Sequence, residues 1–473
     1  MGDFLDKDAL EQAAALEKGE ISAEELMRLT LDRIEAVNGD VNAIVSLRDP
    51  DDLLAEARAA DNTRRKGWMH GLPQAIKDLA NAKGLPTSKG SPIFAGQVAE
   101  ADDIMVARMR AAGAIIIGKT NTPEFGLGSH TFNPVHGATH NPYDLSRSAG
   151  GSSGGAAAAL ACRMLAVADG SDMMGSLRNP AAWNNVYGFR PSWGRVPSEP
   201  QGDTFLHQLS TNGPMGRSPR DIAALLDVQS GPDPRQPHGC PAEPVFPGID
   251  APVTGAKVGW LGDWGGAYAV EGGLMSLCER AMSRFADLSI EVEPVDPGFD
   301  AAQIWESWIT LRSWAVAGSY AALYENPETR SKLKPEAIWE IERGLSFTAM
   351  DIHCASVIRS NWFTRAAELF EGYDALLLPT TQVWPFPVEW AWPKQVAGLD
   401  MDTYHRWMEV VIPVSLIGLP CLNIPAGFGD NGLPAGLQLF GPRGSDSRLL
   451  RIGQAWHEAT RLVAQKPPML AKT

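Results

Sequence analysis

The 473-residue chain has 44% hydrophobic and 21% charged residues and a formal net charge of −15, an ordinary balance for a soluble globular protein. That acidic excess argues against a nucleic-acid partner, since phosphate binding draws on clustered Lys and Arg. Cys162, Cys240, Cys278, Cys354 and Cys421 form no close pairs, so neither a disulfide framework nor a zinc knuckle is readable and a reducing compartment fits.

The first residues, Met1-Gly2-Asp3-Phe4-Leu5-Asp6, lack the charged-then-apolar design of a signal peptide and place Asp6 where a myristoylation motif needs Ser or Thr. Residues 7–60 carry helical patterning. Within them Ser22-Ala23-Glu24-Glu25 has the form of a capping box, opening Leu26, Leu29, Leu31 and Ile34 on one face. Ile115-Ile116-Ile117 ahead of Gly118 reads as a short buried strand. The longest apolar stretch, 156–168, is broken by Arg163 and too short for a bilayer, so a cytoplasmic protein with no membrane partner is expected. The Pro- and Gly-rich segment 231–255 reads as a surface excursion within one domain. Strand-like runs return at Lys257-Val258-Gly259-Trp260, Ala375-Leu376-Leu377-Leu378-Pro379 and Cys421-Leu422-Asn423-Ile424-Pro425. Their late return predicts a single large α/β sheet, mostly parallel because apolar runs alternate with helical segments. The expected layout is an N-terminal helical segment, 1–60, packed on one main domain, 61–473, with no internal repeat. Many of the 15 tryptophans fall between Trp305 and Trp407, and Trp305 and Trp308 can share a helix face with Arg312. Core packing is their first reading; an apolar wall over a bulky substrate is the functional one.

Ser152 and Ser176 lie 24 residues apart, each in a glycine-marked turn: Gly150-Gly151-Ser152-Ser153-Gly154-Gly155 and Met173-Met174-Gly175-Ser176. Between them a helix starting near Gly154 advances roughly 15 Å over about ten residues, and a strand of about five residues returns roughly 16 Å. The two legs nearly cancel, so both hydroxyls can meet. The glycines of the first turn permit unusual backbone conformations and free helix N-terminal amides to face an anion. The second turn can aim several N–H groups at one point, as an oxyanion hole requires. Far upstream, Lys77 lies in Gly71-Leu72-Pro73-Gln74-Ala75-Ile76-Lys77-Asp78; burial would lower its pKa and make it a base for a serine. Two hydroxyls and a lysine suggest acyl transfer without histidine, metal or cofactor. A Walker loop needs a lysine after its glycines, and none follows Gly155. His136 and His140 are spaced by four but sit in a Gly- and Asn-Pro-rich loop with no acidic third ligand, which argues against zinc.

Further segments make a resemblance specific. They are Gly118-Lys119-Thr120-Asn121-Thr122-Pro123-Glu124, Thr139-His140-Asn141-Pro142-Tyr143-Asp144, the signature-like stretch 150–180, Gly188-Phe189-Arg190-Pro191-Ser192, Gly418-Leu419-Pro420 and Gly432-Leu433-Pro434-Ala435-Gly436-Leu437-Gln438. The chain resembles the amidase signature family of serine hydrolases over roughly 71–462. The resemblance implies one α/β/α domain with a mixed sheet. It implies that Ser176 is the acyl nucleophile, that Ser152, after a cis peptide bond, bridges Ser176 to Lys77, and that Lys77 is the base. It places the oxyanion against the amides of Met173, Met174, Gly175 and Ser176, and the backbone of Gly126 in the acyl pocket. One departure stands out: Met173-Met174 replaces the family's usual Thr-Gly. If that glycine's place required positive φ, Met174 would be strained; the preferred reading is that the turn tolerates a side chain.

The function so implied is amide-bond hydrolysis through an acyl-enzyme. Tryptophan and methionine enrichment leans toward apolar or aryl amides, with carbamates and esters as further small-molecule substrates. The alternative within the family is the glutaminase-like component of a tRNA-dependent amidotransferase, its A subunit, against which Pro197-Ser198-Glu199-Pro200 replaces the usual continuation after Val196. The other alternative is a non-catalytic binding protein on the same scaffold. The sequence leaves oligomeric state open, a homodimer being the assembly considered.

Overall fold

In the computed structural model, which describes residues 4–241 and 243–472, the chain opens with the helices Ala9–Lys18, Ala23–Val41 and Pro50–Asp61. The capping box forms: Ser22 Oγ accepts from Glu25 N at 3.1 Å and the Glu25 carboxylate accepts from Ser22 N at 2.8 Å. Each bond satisfies an amide that a helix start leaves without a partner.

Eight strands form the large sheet. From one edge to the other they are Glu291–Pro294, Lys257–Trp260, Ala375–Pro379, Pro434–Phe440, Cys421–Phe428, Tyr187–Arg190, Thr211–Gly216 and Val167–Asp172. The sheet is mixed, as expected, but the expectation of mostly parallel pairing needs correction. Only the Lys257–Trp260 strand pairs in parallel, with Glu291–Pro294 and Ala375–Pro379; the remaining neighbours run antiparallel. The cause of the error is physical. A strand covered on both faces reads as a continuous apolar run whichever way its neighbour points. Ala375–Pro379, buried throughout, pairs parallel on one side and antiparallel on the other.

A second sheet places Ile115–Thr120 between Ile44–Val45 and Pro73–Lys77. Pro73–Lys77 ends beside the edge strand Val167–Asp172, where Lys77 N donates to Asp169. The helix Gly154–Ala161 is buried along its whole length. Its alanines pack with Met27, Ile34 and Leu53 of the N-terminal helices and with Ile115 and Ile117. Gly155 is required there, because a side chain would run into the Asn121 backbone.

Trp305, Trp308, Trp362 and Trp407 belong to a different apolar cluster, so packing is what they do. Among the described residues of 231–255 there is a short helical turn, Phe246–Gly248, with Val245 and Ile249 anchoring it in the core. Among the described residues no helix is long and apolar enough to cross a membrane.

Candidate active site

Lys77 is the last residue of a strand whose five residues are all buried, and it is 1% exposed. Its Nζ lies 2.8 Å from Ser152 Oγ, 2.8 Å from Ser153 Oγ and 3.0 Å from Ser171 Oγ. Burial pulls its pKa down to about 7, while the charges of Asp169 and Asp172 draw it part of the way back. Asp169 does a second job. Its carboxylate accepts from the Lys77 backbone N–H at 3.2 and 3.3 Å, which pins the end of the strand. Burial raises the Asp169 carboxyl to about 6, against the hydrogen bond from Lys77 and the charges of Lys119 and Lys77.

Ser152 follows a cis peptide bond after Gly151. The Gly151 carbonyl accepts from Ser129 Oγ at 2.6 Å, and Ser129 Oγ accepts from Asn179 Nδ2 at 3.1 Å. The two serine turns touch directly: Ser153 N donates to Ser176 O at 3.3 Å. The outward helix and returning strand therefore bring both turns to one place. Ser152, Ser171 and Ser176 line a cavity of about 560 Å³; Lys77 sits behind those hydroxyls, off the wall.

A single carboxylate organises the turn leading to Ser176. Asp172 accepts from Gly175 N at 2.9 Å and Leu177 N at 3.1 Å, and pairs with Arg178 at 3.0 Å and Arg190 at 3.1 Å. Burial alone would raise its pKa, but the two guanidiniums override it and hold the carboxyl well below the usual range. The left-handed residue of the turn is Gly175, φ 80°, and not Met174. A Cβ at Gly175 would press on Asn179 at 2.8 Å. Met174 instead is buried in the apolar cluster that also holds Ala182, Trp183 and Trp407, so the turn tolerates methionine at that position. Among the described residues the N–H groups of Met173, Met174 and Ser176 meet no acceptor, whereas that of Gly175 is taken by Asp172.

Gly126, φ 70°, lines the same cavity, with its Cβ position 3.6 Å from Ser152 Oγ and 2.9 Å from Leu79 Cδ1. The histidine pair does not converge. His136 Nε2 lies 3.3 Å from Ser88 Oγ, and His140 Nδ1 lies 2.6 Å from Leu145 O. Sequence reasoning gave no role to Asp169, Ser153, Ser171 or the Arg178–Asp172–Arg190 group. A carboxylate closing the apolar run 165–168 was the available signal for Asp169.

The Amidase family model matches residues 25–450. An acylamidase of Rhodococcus erythropolis is 32% identical over 97% of this chain and 96% of its own length. The A subunit of a glutamyl-tRNA(Gln) amidotransferase from Thermus thermophilus is 34% identical over 98% of this chain and 99% of its own. Among solved structures, a bacterial aryl acylamidase of the amidase signature family superposes with TM-score 0.92 at 28% identity, covering 99% of both chains. A 6-aminohexanoate cyclic dimer hydrolase follows at TM-score 0.88 and 28% identity, over 98% of this chain and 99% of that one. With the family model spanning most of its length and its fold shared with solved amidase signature enzymes, the chain belongs to the amidase family, hydrolases of carbon–nitrogen bonds.

Proposed function

We propose that the protein hydrolyses apolar or aryl amides through an acyl-enzyme on Ser176, with Ser152 and Lys77 moving the proton. The observation that carries this reading is the desolvated Lys77 Nζ, 2.8 Å from Ser152 Oγ and behind the cavity that Ser176 lines. Neutral Lys77 takes the Ser152 proton as Ser152 takes that of Ser176, whose oxygen then bonds to the substrate carbonyl carbon. The carbonyl becomes an oxyanion held by the N–H groups of Met173, Met174 and Ser176, the three with no other acceptor among the described residues. Collapse breaks the carbon–nitrogen bond as the proton returns from Lys77 through Ser152 to the leaving amine. Water then attacks the ester along the same relay, giving the acid and restoring the Ser176 hydroxyl.

Substrate class rests on the walls. Leu79, Phe125, Met173, Met174, Val316 and Tyr320 form an apolar part of a lining that elsewhere carries Lys89, Glu199, Asp203 and Arg312, and that part suits an apolar or aromatic group. The test is a hydrolysis panel of anilides, aliphatic amides, carbamates and esters, with Ser176→Ala as the blank, beside fluorophosphonate labelling. Labelling of wild type and turnover of anilides above aliphatic amides are expected. Labelling unchanged in Ser176→Ala would remove the nucleophile assignment.

A second reading, the glutaminase-like component of an amidotransferase, is favoured by amidotransferase relatives that match the chain as fully as the acylamidase does. It requires ammonia release from glutamine once the other components of such a complex are added; glutamine inert under that condition counts against it.

A further inference from the structure

Arg312 is a buried cation on the wall of the cavity that holds Ser176. It projects from the helix Ala301–Glu325. Its Nε donates to Glu340 Oε1 at 2.7 Å and its Nη2 to Tyr404 OH at 2.8 Å. Glu340 is fully buried and also accepts from Tyr404 OH at 2.8 Å and from Ser313 Oγ at 2.5 Å. The guanidinium is thus fixed in position and balanced in charge on the side away from the cavity.

On the cavity side the situation differs. Among the described residues Nη1 meets only the thioether of Met173, 3.2 Å away, in a contact that is partly open, whereas the bonds to Glu340 and Tyr404 are closed off. A thioether is a weak acceptor, and a guanidinium has five N–H groups to place. An ionised donor left so poorly satisfied at low exposure is a standing cost that a ligand oxygen removes. Met173 and Ser176 line the same cavity as Arg312, so an oxygen replacing the thioether contact sits in the cavity that holds the nucleophile.

We infer that Arg312 is a specificity-determining residue that hydrogen-bonds a second, uncharged oxygen acceptor on the substrate, beside the scissile amide. The inference deepens the proposed amide hydrolysis and rests on it. Charge selects a neutral acceptor over a carboxylate. Glu340 already cancels Arg312, and the remaining charged side chains on the wall include Glu199 and Asp203 as well as Lys89. Lys89, the cation there not paired with an acid among the described residues, is outnumbered by Glu199 and Asp203, so a substrate carboxylate would enter against a net negative wall with little to repay its desolvation. A ketone, ester or second amide carbonyl loses little water and gains a charge-assisted bond. The predicted substrates are therefore mainly apolar amides with one extra carbonyl, on the acyl or the amine side.

Four substrates of similar size test this on the full chain: butyranilide, acetoacetanilide, para-acetyl butyranilide and succinanilate. The readout is the ratio of kcat/KM to that of butyranilide, which cancels losses common to all substrates. Wild type should favour at least one of the two neutral carbonyl substrates about tenfold and should disfavour succinanilate. Arg312→Met paired with Glu340→Gln avoids leaving a buried charge and should bring the favoured ratio to within about twofold of unity. Arg312→Lys, which keeps the charge but not the fork, should keep part of the preference. A ratio unchanged by the paired substitution overturns the inference, as does succinanilate being the preferred substrate. No wild-type turnover of any anilide is a separate result, which removes the anilide-hydrolase reading itself.

Discussion

A lysine whose pKa is about 7 in the folded chain and 10.5 when solvated binds fewer protons folded than unfolded between those values. Stability then rises with pH across that window, because the unfolded chain holds the extra proton. Below about pH 7 both forms are protonated and the burial penalty stands in full; above 10.5 neither is, and it vanishes. Lys77→Met removes this titration. Wild type should therefore gain stability relative to Lys77→Met as pH is raised from 6.5 to 9.5, measured by urea unfolding; a constant difference would contradict a desolvated Lys77. With Lys77 as the proposed base, the acid limb of kcat/KM should rise with pH through about 7. Asp169 is a positioning residue in this scheme, since its charge raises Lys77 and its oxygens hold the Lys77 amide. Asp169→Asn keeps an acceptor and removes the charge, so the acid limb should move to lower pH, and a limb that stays in place would deny the coupling. Ser152 and Ser176 stood out in the sequence by their glycine-marked turns, and Lys77 through the family resemblance; the structure brings Lys77 Nζ to Ser152 Oγ. Asp169 did not stand out, because its meaning lies in an amide 92 residues away.

Elements show the same division between what a local pattern carries and what only pairing decides. Lys257–Trp260 and Ala375–Pro379 form where the sequence predicts, with the same ends. Strand direction escaped, because burial on both faces erases the alternation that would have hinted at register. The strand Tyr187–Arg190 illustrates what that concealed. Its antiparallel neighbours Cys421–Phe428 and Thr211–Gly216 lock it in the sheet, and its last residue reaches across to the turn before Ser176. There Arg190 donates to the Asp172 carbonyl and carboxylate and to Leu209 O. A motif that in the sequence served only to carry the family resemblance thus supplies half of the counter-charge for Asp172. Arg190→Leu should destabilise the fold by about 3–5 kcal/mol, the usual result of removing one partner from a buried ion pair. Chemical denaturation measures this. Fluorophosphonate labelling at temperatures where the variant is still folded should also fall, since Asp172 positions the amides on either side of Ser176. Wild-type labelling in a destabilised variant would mean that Arg178 alone suffices to hold the turn.

At the scale of the whole molecule, the first 61 residues are joined to the site by hydrogen bonds as well as by packing. Ile44 and Val45 pair with Thr120 and Lys119 in the sheet that ends at Lys77. Asn121 N donates to Ala43 O, and Asn121 O accepts from Gly155 N at the start of the helix after Ser152. Asp221 accepts from Ala9 N at 2.7 Å and Leu10 N at 3.1 Å, serving a helix start from a distant part of the chain. Burial, with the charge of Asp8, raises the Asp221 carboxyl to about 7 in spite of these bonds. Helical patterning across 7–60 anticipates the helices there, but not that a strand among them completes another sheet. Two residues, Ile44 and Val45, are too short a run to read as a strand. Removing residues 1–61 would strip the outer strand from Ile115–Thr120 and break up the buried apolar cluster that holds Ala156–Ala161 together with Met27, Ile34 and Leu53. We therefore expect residues 62–473 alone to lack a cooperative thermal transition and not to label with fluorophosphonate. Adding 1–61 as a separate chain should restore some labelling, because the lost contacts are an extensive, specific interface rather than a tether. A cooperatively folded, labelled 62–473 fragment would show instead that the N-terminal helices only decorate a domain that stands without them.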